Sequence, residues 1–580
     1  MPDLVSKTHF NKAPTINKRR TRFDLSHSIL TTFNTGDFVP VFVEPVYPGE
    51  THSLRTSSLV RLETSLHQTM DNAYFEEAFF FVPDKVLWTN FDKFLGANDD
   101  AWTQTTEYNL PQINLEKYVL VDPTDPEVNY HTEDVVVVNS LLNHLMFPAG
   151  SYGNSDGVFL SYDQLPLRGV FKIYNDWYRD ENYDSIIYYD DGDTDIDLGT
   201  GFLFNGSYFY PAASNLKVNR FKDLFSTALP APQKGQEVSI GLVGTAPIIA
   251  DTSLHDMGNS LMFGGSTISS GYNRLPLLLS VPAGGLGGSN YGVVQADQSN
   301  PSNSANHKDV DKTNLLADLS NSSAITINQL RLSIAAQAIA ERDARGGTRM
   351  KEKIYATWGV HVNDLEIDRS EFLGGKRIPV SMMEVLQTSE TGTTVLGTDA
   401  GHSKTVDSSE SFVRSFTQYG WIIGFCYVRT SRTYSQGIDR KFRNKDLYSL
   451  FDPMLDNIGE LAIEKSELYA LATQNQSAVN NAKAVFGYQE AWYHLKERTN
   501  RFSGYFQPAI SQTLDSWHYG DSYNSLPQAS ASWLKEGASN VDRTIAVSSE
   551  ASFQWSVNLY FEYYATREMA KYSIPNTFGF

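Results

Sequence analysis

The sequence has a single cysteine, Cys426, among 580 residues. That excludes an intramolecular disulfide framework and any zinc site built on paired cysteines. Cys426 lies in the apolar run Trp421-Ile-Ile-Gly-Phe-Cys-Tyr-Val428. It reads as a buried structural thiol, because a reactive thiolate wants exposed, electropositive surroundings. There is no run of about 18 apolar residues and no N-terminal stretch of signal-peptide type, so the expected chain is made in the cytosol and does not insert into a membrane. Positive charge is also scarce: 47 Lys and Arg against 67 Asp and Glu give a net charge of −20. That balance argues against a protein whose whole surface binds nucleic acid. Apolar material is not lacking, with 41% hydrophobic and 13% aromatic residues, which excludes global disorder. An ordinary domain holds roughly 100–200 residues. The chain is therefore either several domains or one framework with large insertions.

The scarce positive charge is unevenly placed. Residues 1–22 hold Lys7, Lys12, Lys18, Arg19, Arg20 and Arg22 against one acid, Asp3, which makes +5 on this stretch and −25 on the rest. With Pro2, Pro14 and little apolar periodicity, residues 1–30 are expected to form an extended basic arm that neutralises phosphate. An ordinary solvated terminus is the bland alternative.

Strand signals dominate the remainder of the chain. From Phe553 to Tyr563 every odd position is apolar or aromatic and the even ones are mostly polar, as in a strand with one buried face. Ala73–Val82 and Asp37–Val43 also read as strands, and Val135–Val138 and Trp421–Val428 as short, fully buried ones. Long turn-rich stretches separate them, so the βαβ pattern is missing. Helices are few. The best runs from Ile327 to about Arg345, with Ile327, Leu330, Ile334, Ala338 and Ile339 on one stripe, a capping box from Thr326 and Gln329, and Gly346-Gly347 as its stop. A second helix is expected over Glu460 to Gln474. The fold class is all-β, with residues 31–183 and 324–580 forming the framework. Residues 184–323 hold 16 of the 40 glycines, and Gln295 to Ser323 has no aromatic residue. So long a weakly patterned stretch predicts a large insertion outside the framework.

Catalytic signatures are weak. Asp190-Asp-Gly-Asp193-Thr-Asp195-Ile-Asp197 fails the EF-hand template, because Ile196 stands where Gly is needed and Phe202 where Glu is needed. A solvated acidic loop is the better reading. Gly285-Leu-Gly287-Gly-Ser-Asn290 misses the third glycine of a dinucleotide fingerprint. Gly374-Gly375-Lys376-Arg377 lacks the flanks of a phosphate-binding loop. No H-E-x-x-H or G-x-S-x-G occurs. No catalytic residue, metal ligand or cofactor is assigned. Two further basic clusters, Arg342 to Lys353 and Arg429 to Lys445, have acids nearby and are expected to be ion-paired, although Tyr434 and Phe442 within the second would suit stacking on single strands.

The stretch Phe23-Asp-Leu-Ser-His-Ser-Ile-Leu-Thr-Thr-Phe-Asn-Thr-Gly-Asp-Phe-Val-Pro40, followed by Pro48-Gly-Glu-Thr51, resembles the opening of the major capsid proteins of gokushoviruses, small bacterial viruses of the microvirus family (Microviridae, Gokushovirinae). Glu341-Arg-Asp-Ala-Arg-Gly-Gly-Thr-Arg349, Arg369-Ser-Glu-Phe-Leu-Gly-Gly375, Phe486-Gly-Tyr-Gln-Glu-Ala-Trp492 and Leu514-Asp-Ser-Trp-His518 are similar to the same family. The motifs span roughly 23–90 and 325–520.

The resemblance implies an eight-stranded viral jelly roll and sixty copies in a T=1 icosahedral capsid around circular single-stranded DNA. It implies that 184–323 forms a protrusion at the three-fold axes, engaged in host attachment through a bacterial surface receptor. Minor virion proteins and a small basic DNA-binding protein would be partners, and the virion, assembled in the host cytoplasm, would be the location. The arm residues Lys7, Lys12, Lys18, Arg19, Arg20 and Arg22 would then face DNA. Coding for 580 residues takes three nucleotides each, or 1740 phosphates at least, whereas sixty arms of +5 supply 300 charges. Other cations must contribute. The competing expectation is a soluble β-sandwich that binds or hydrolyses carbohydrate, with paired carboxylates assembled only in space.

Overall fold

A computed structural model of the chain describes residues 19–97, 108–115, 136–150, 160–236, 327–386, 399–456, 458–471, 476–508, 510–550 and 552–572, with Tyr152 and short strands inside 116–135 and 237–326. The chain divides into two compact units, Met1–Lys234 with Arg342–Phe580, and Gly235–Glu341.

The larger unit is built on two antiparallel sheets. In chain order the strands are β1 (Thr21–Asp24), β2 (His27–Phe33), β3 (Val39–Val46), β4 (Thr51–Leu62), β5 (Ala73–Pro83), β6 (Glu371–Pro379), β7 (Thr405–Ser415), β8 (Gly420–Thr430) and β9 (Trp555–Arg567). One sheet runs β7-β4-β9, with β1 and β2 end to end along the free edge of β9: Thr21 faces Arg567 and His27 faces Phe561. The other runs β3-β8-β5-β6. From β2 to β5 and again from β6 to β9, successive strands alternate between the sheets. This is the winding of a jelly roll, which needs no local turn at the places where β5 leads to β6 and β8 to β9. Residues 84–370 and 431–554 fill those two connections.

The facing sides of the sheets enclose one core. Phe33, Val60, Phe75, Phe79, Trp555, Val557, Leu559 and Phe561 are all buried there. Burying each such side chain stabilises by about 1.5–3 kcal/mol. Phe42 packs edge-on against Phe79 and Tyr563, with ring centroids 6.1 and 5.1 Å apart. Strand β9 shows the expected alternation, every odd residue from Trp555 to Ala565 being buried. Strands β5 and β8 differ: all of β5 except Tyr74, and all of β8 except Trp421 and Arg429, is buried. A second core covers their outer face. There Phe80, Val82, Phe425 and Tyr427 meet the helix Leu165–Ile173, with Val170 and Phe171 fully buried. Cys426 is buried in β8, where burial pushes its thiol well above the ordinary range. A third core gathers Phe225, Tyr434, Ile463, Leu468 and Phe486.

Gly374-Gly375 sits where β6 is squeezed between neighbours. A Cβ at Gly374 would lie 2.2 Å from the carbonyl oxygen of Ser411, and one at Gly375 would lie 2.5 Å from that of Glu77. The pair therefore serves strand packing and not phosphate binding.

Two sequence expectations change. Glu460–Glu464 is a strand, paired with Val485–Glu490, and a short 3-10 turn over Lys465–Glu467 follows it. The predicted helix lost because pairing buries Ile463 completely. Among the Val135–Val138 run, Val136 makes only an isolated bridge to Gly150 and Val138 is exposed; Val135 lies outside the described residues. The Ile327–Gly346 helix forms, with Gly347 at φ 82°, but of its residues only Ala344 is buried, so its apolar stripe is open. Thr326, its expected cap, lies outside the described residues.

The 184–323 stretch and the smaller unit overlap over 235–323. Residues 184–234 add Ile187, Leu198, Phe202, Leu216 and Val218 to the second core of the larger unit.

Candidate nucleic-acid interface and charged clusters

The arm is rooted on the sheet edge. Backbone pairing of β1 with β9 fixes Arg22, whose guanidinium lies 3.8 Å from the Tyr564 ring centroid. Arg20 Nε lies 3.4 Å from Glu568 Oε1, both half exposed, and such a pair is worth at most about 1 kcal/mol. Asp24 is held below the usual carboxylate range by the Ser26 hydroxyl and backbone N–H. Arg19 is exposed, and Lys7, Lys12 and Lys18 lie outside the described residues. Of the six arm cations, Arg20 and Arg22 thus have partners on the protein itself.

Most cations of the two internal basic clusters are ion-paired. Arg429 donates to Glu76 at 2.5 Å, and Arg432 is buried between Asp521, at 2.9 Å, and Glu536. Burial alone would raise the Asp521 carboxyl; Arg220 and Arg432 outweigh it and hold it at about 2. Arg443 meets Glu464, and Arg440 donates to the Ala462 carbonyl at 2.7 Å. In the other cluster Arg345 meets Glu460, Lys351 lies 2.6 Å from Asp364 and Lys353 lies 2.8 Å from Asp343. The pairs made by Arg345, Arg429 and Arg432 join residues at least 89 positions apart, so these cations fasten the long connections.

A cavity of about 880 Å³ lies on the outer side of β5 and β6. Its lining includes eight basic and five acidic side chains, among them Glu76, Arg220, Lys222, Lys376, Arg377 and Arg429. Glu76 accepts from both Arg377, at 2.9 Å, and Arg429, and Lys222 holds Asp180 at 2.8 Å. With its carboxylates held by cations, the cavity is a charged joint without a free nucleophile–base pair.

The acidic loop is likewise tied down. Asp193 accepts from Trp88 Nε1 at 2.6 Å and from Asn90, Asp195 accepts from the Gln112 amide at 2.7 Å, and the buried Arg168 donates to the Gly192 carbonyl at 3.0 Å. Among the described residues no group of three or more His, Cys, Asp or Glu is placed to hold a metal ion. Nor is any helix there long and apolar enough to cross a membrane. Two carboxylates do meet: burial and then the neighbouring Asp163 push Asp84 up to about 7. The pairing was invisible in sequence because 79 positions separate the two residues; only the packing of the Asp84–Leu87 turn against the Leu165–Ile173 helix joins them.

Comparison with known proteins matches the winding of the sheets. The profile of the family described as "Capsid protein (F protein)" matches residues 11–577. The chain is similar to capsid protein VP1 of Spiroplasma virus 4, 33% identical over 96% of this chain and 95% of the relative. It is 31% identical to capsid protein VP1 of Chlamydia phage 1 over 98% of both, and 29% identical to that of Bdellovibrio phage phiMH2K over 98% of both. These are structural shell proteins and not enzymes, which removes the carbohydrate-active alternative. The resemblance to microvirus major capsid proteins therefore holds along nearly the whole length, and the chain belongs to the phage F-protein capsid family as a component of the virion and of its multimeric shell.

Proposed function

We propose that sixty copies of the chain close into a T=1 shell around a circular single-stranded DNA genome, with the basic arm on the inside. The observation that carries this reading is the pairing of β1 with β9. It starts the arm from a fixed sheet edge, so that all copies in a symmetric shell would deliver their arms on one side. The acidic body, with most of its internal basic side chains held in ion pairs, leaves the arm as the main phosphate-neutralising element. The small charge of the arms calls for a separate basic DNA-binding protein as partner. Residues 184–323, or the compact part of them from Gly235 onward, are the proposed three-fold protrusion and the site of receptor attachment, with minor virion proteins and assembly in the host cytoplasm completing the picture.

Sedimentation and electron microscopy of the expressed chain test the shell. Closed particles of one size are expected; monomers alone, with the viral partners supplied, overturn the reading. Lys7, Lys12 and Lys18 changed together to Gln should lower the packaged DNA and its salt-resistant retention while leaving particles intact. An arm reached by protease from outside intact particles would refute the inward placement.

A further inference from the structure

Between the short strand Thr433–Tyr434 and Glu460–Glu464 the chain makes an excursion over residues 438–456. It is firmly held. Arg501 meets Asp439, Arg443 meets Glu464, and Asp446 and Ser449 cap one another around a 3-10 turn. Asp452 accepts from the Met454 amide at 2.8 Å, and Trp492 Nε1 donates to the Leu455 carbonyl at 2.8 Å. Yet this fixed segment presents large apolar side chains to solvent: Phe442 is 74% exposed, Leu447 75%, Tyr448 76% and Met454 93%. Single exposed apolar residues are ordinary, but several gathered on one ordered segment mark an interaction surface. A pre-ordered segment also loses little conformational entropy on binding.

We infer that Phe442–Met454 docks onto a second copy of this chain; the inference rests on the shell reading above. Two observations select this occupant. The chain belongs to a capsid family, and a multimeric shell requires part of its surface to meet copies of itself. The 438–456 segment carries four basic and four acidic side chains, with Lys441 lying 3.3 Å from Asp439, so it is neutral in a chain of −20 and lets a second copy approach without the repulsion that the acidic remainder imposes. The apolar side chains supply the buried centre of the contact and the balanced charges around them its polar rim.

The test uses the full chain under conditions in which the wild type forms particles. Phe442→Ser, Tyr448→Ser and Met454→Ser combined should keep the wild-type melting profile and reduce particle yield by about tenfold or more. In an otherwise wild-type chain, a photo-reactive benzoylphenylalanine in place of Met454 should link 14N-labelled to 15N-labelled copies within particles. Wild-type yield from the triple variant overturns the inference, and so does a photo-product confined to its own chain or to another viral protein. If the triple variant fails to fold, the photo-product decides. A wild-type chain that gives no particles overturns the shell reading, and with it this inference; particles from both chains overturn this inference alone.

Discussion

The two sheets of the roll solve the same problem differently. The sheet carrying β9 buries one face, and its sequence alternates accordingly: Val557, Leu559 and Phe561 go inward, while Asn558 and Tyr560 stay exposed. The sheet carrying β5 and β8 buries both faces, one against β9 and its neighbours, the other against the Leu165–Ile173 helix. Its sequence reads as nearly unbroken apolar runs, Phe79-Phe-Phe-Val82 and Ile422-Ile-Gly-Phe-Cys-Tyr-Val428. Antiparallel sheets commonly leave one face wet. Here the long connections cover the second sheet, so the runs report a tertiary layer and not merely a strand.

The largest expected effect comes from opening that layer. Phe425 stacks on Phe38 with centroids 4.0 Å apart, and Phe425→Ala should lower unfolding free energy by about 3–5 kcal/mol in denaturant titration. Tyr560→Ala, on the open face of the other sheet, should stay within about 0.5 kcal/mol. Equal losses would erase the distinction between the sheets. Arg432→Met should cost about 3–5 kcal/mol, because Glu536 is left buried without its cation and Asp521 keeps only Arg220.

Acidity should act on the two sheets with opposite sign. His52, in β4, donates or accepts within reach of Tyr563 at 2.6 Å and Glu50 at 3.0 Å, and burial, then Arg567, pulls it down to about 4. Its folded value lies below the unfolded value of 6.5, so its stabilisation is full above pH 6.5 and is lost as pH falls through about 4. Asp84, just past β5, has a folded value near 7 against 3.8. Its contribution is full below about pH 4 and is lost as pH rises through 7. Asp84→Asn should therefore raise stability at pH 8, by on the order of 1–3 kcal/mol, and leave it nearly unchanged at pH 4. A pH-independent effect in thermal melts would remove the assigned burial. A small effect is also expected at the arm: Arg22→Gln loses a surface cation–π contact of about 0.5–1 kcal/mol and should loosen β1 first in hydrogen exchange.

Alternation made β9 legible, and length with aromatic content made β5 and β8 legible, because strand periodicity and burial are local properties of the chain. The Gly346-Gly347 helix stop was legible for the same reason. Glu460–Glu464 was not: Glu-Leu-Ala-Ile-Glu suits a helix, and only pairing with Val485–Glu490 makes it a strand. The ion pairing of the basic clusters could be expected from nearby acids, but the actual partners of Arg429 and Arg432, Glu76, Asp521 and Glu536, are remote in sequence. The exposed side chains of 442–454 mix apolar, basic and acidic residues without a period, so no one-dimensional pattern separates them from core.

By itself the sequence determined the all-β class, the uneven charge and the capsid resemblance, since these depend on composition, short-range periodicity and ordered motifs. The tertiary structure decided which sheet is covered twice, that residues 184–234 pack into the larger unit, and which cations are already neutralised. Most of those depend on segments remote in sequence meeting in space, where burial and Coulomb attraction, not neighbouring residues, set the outcome.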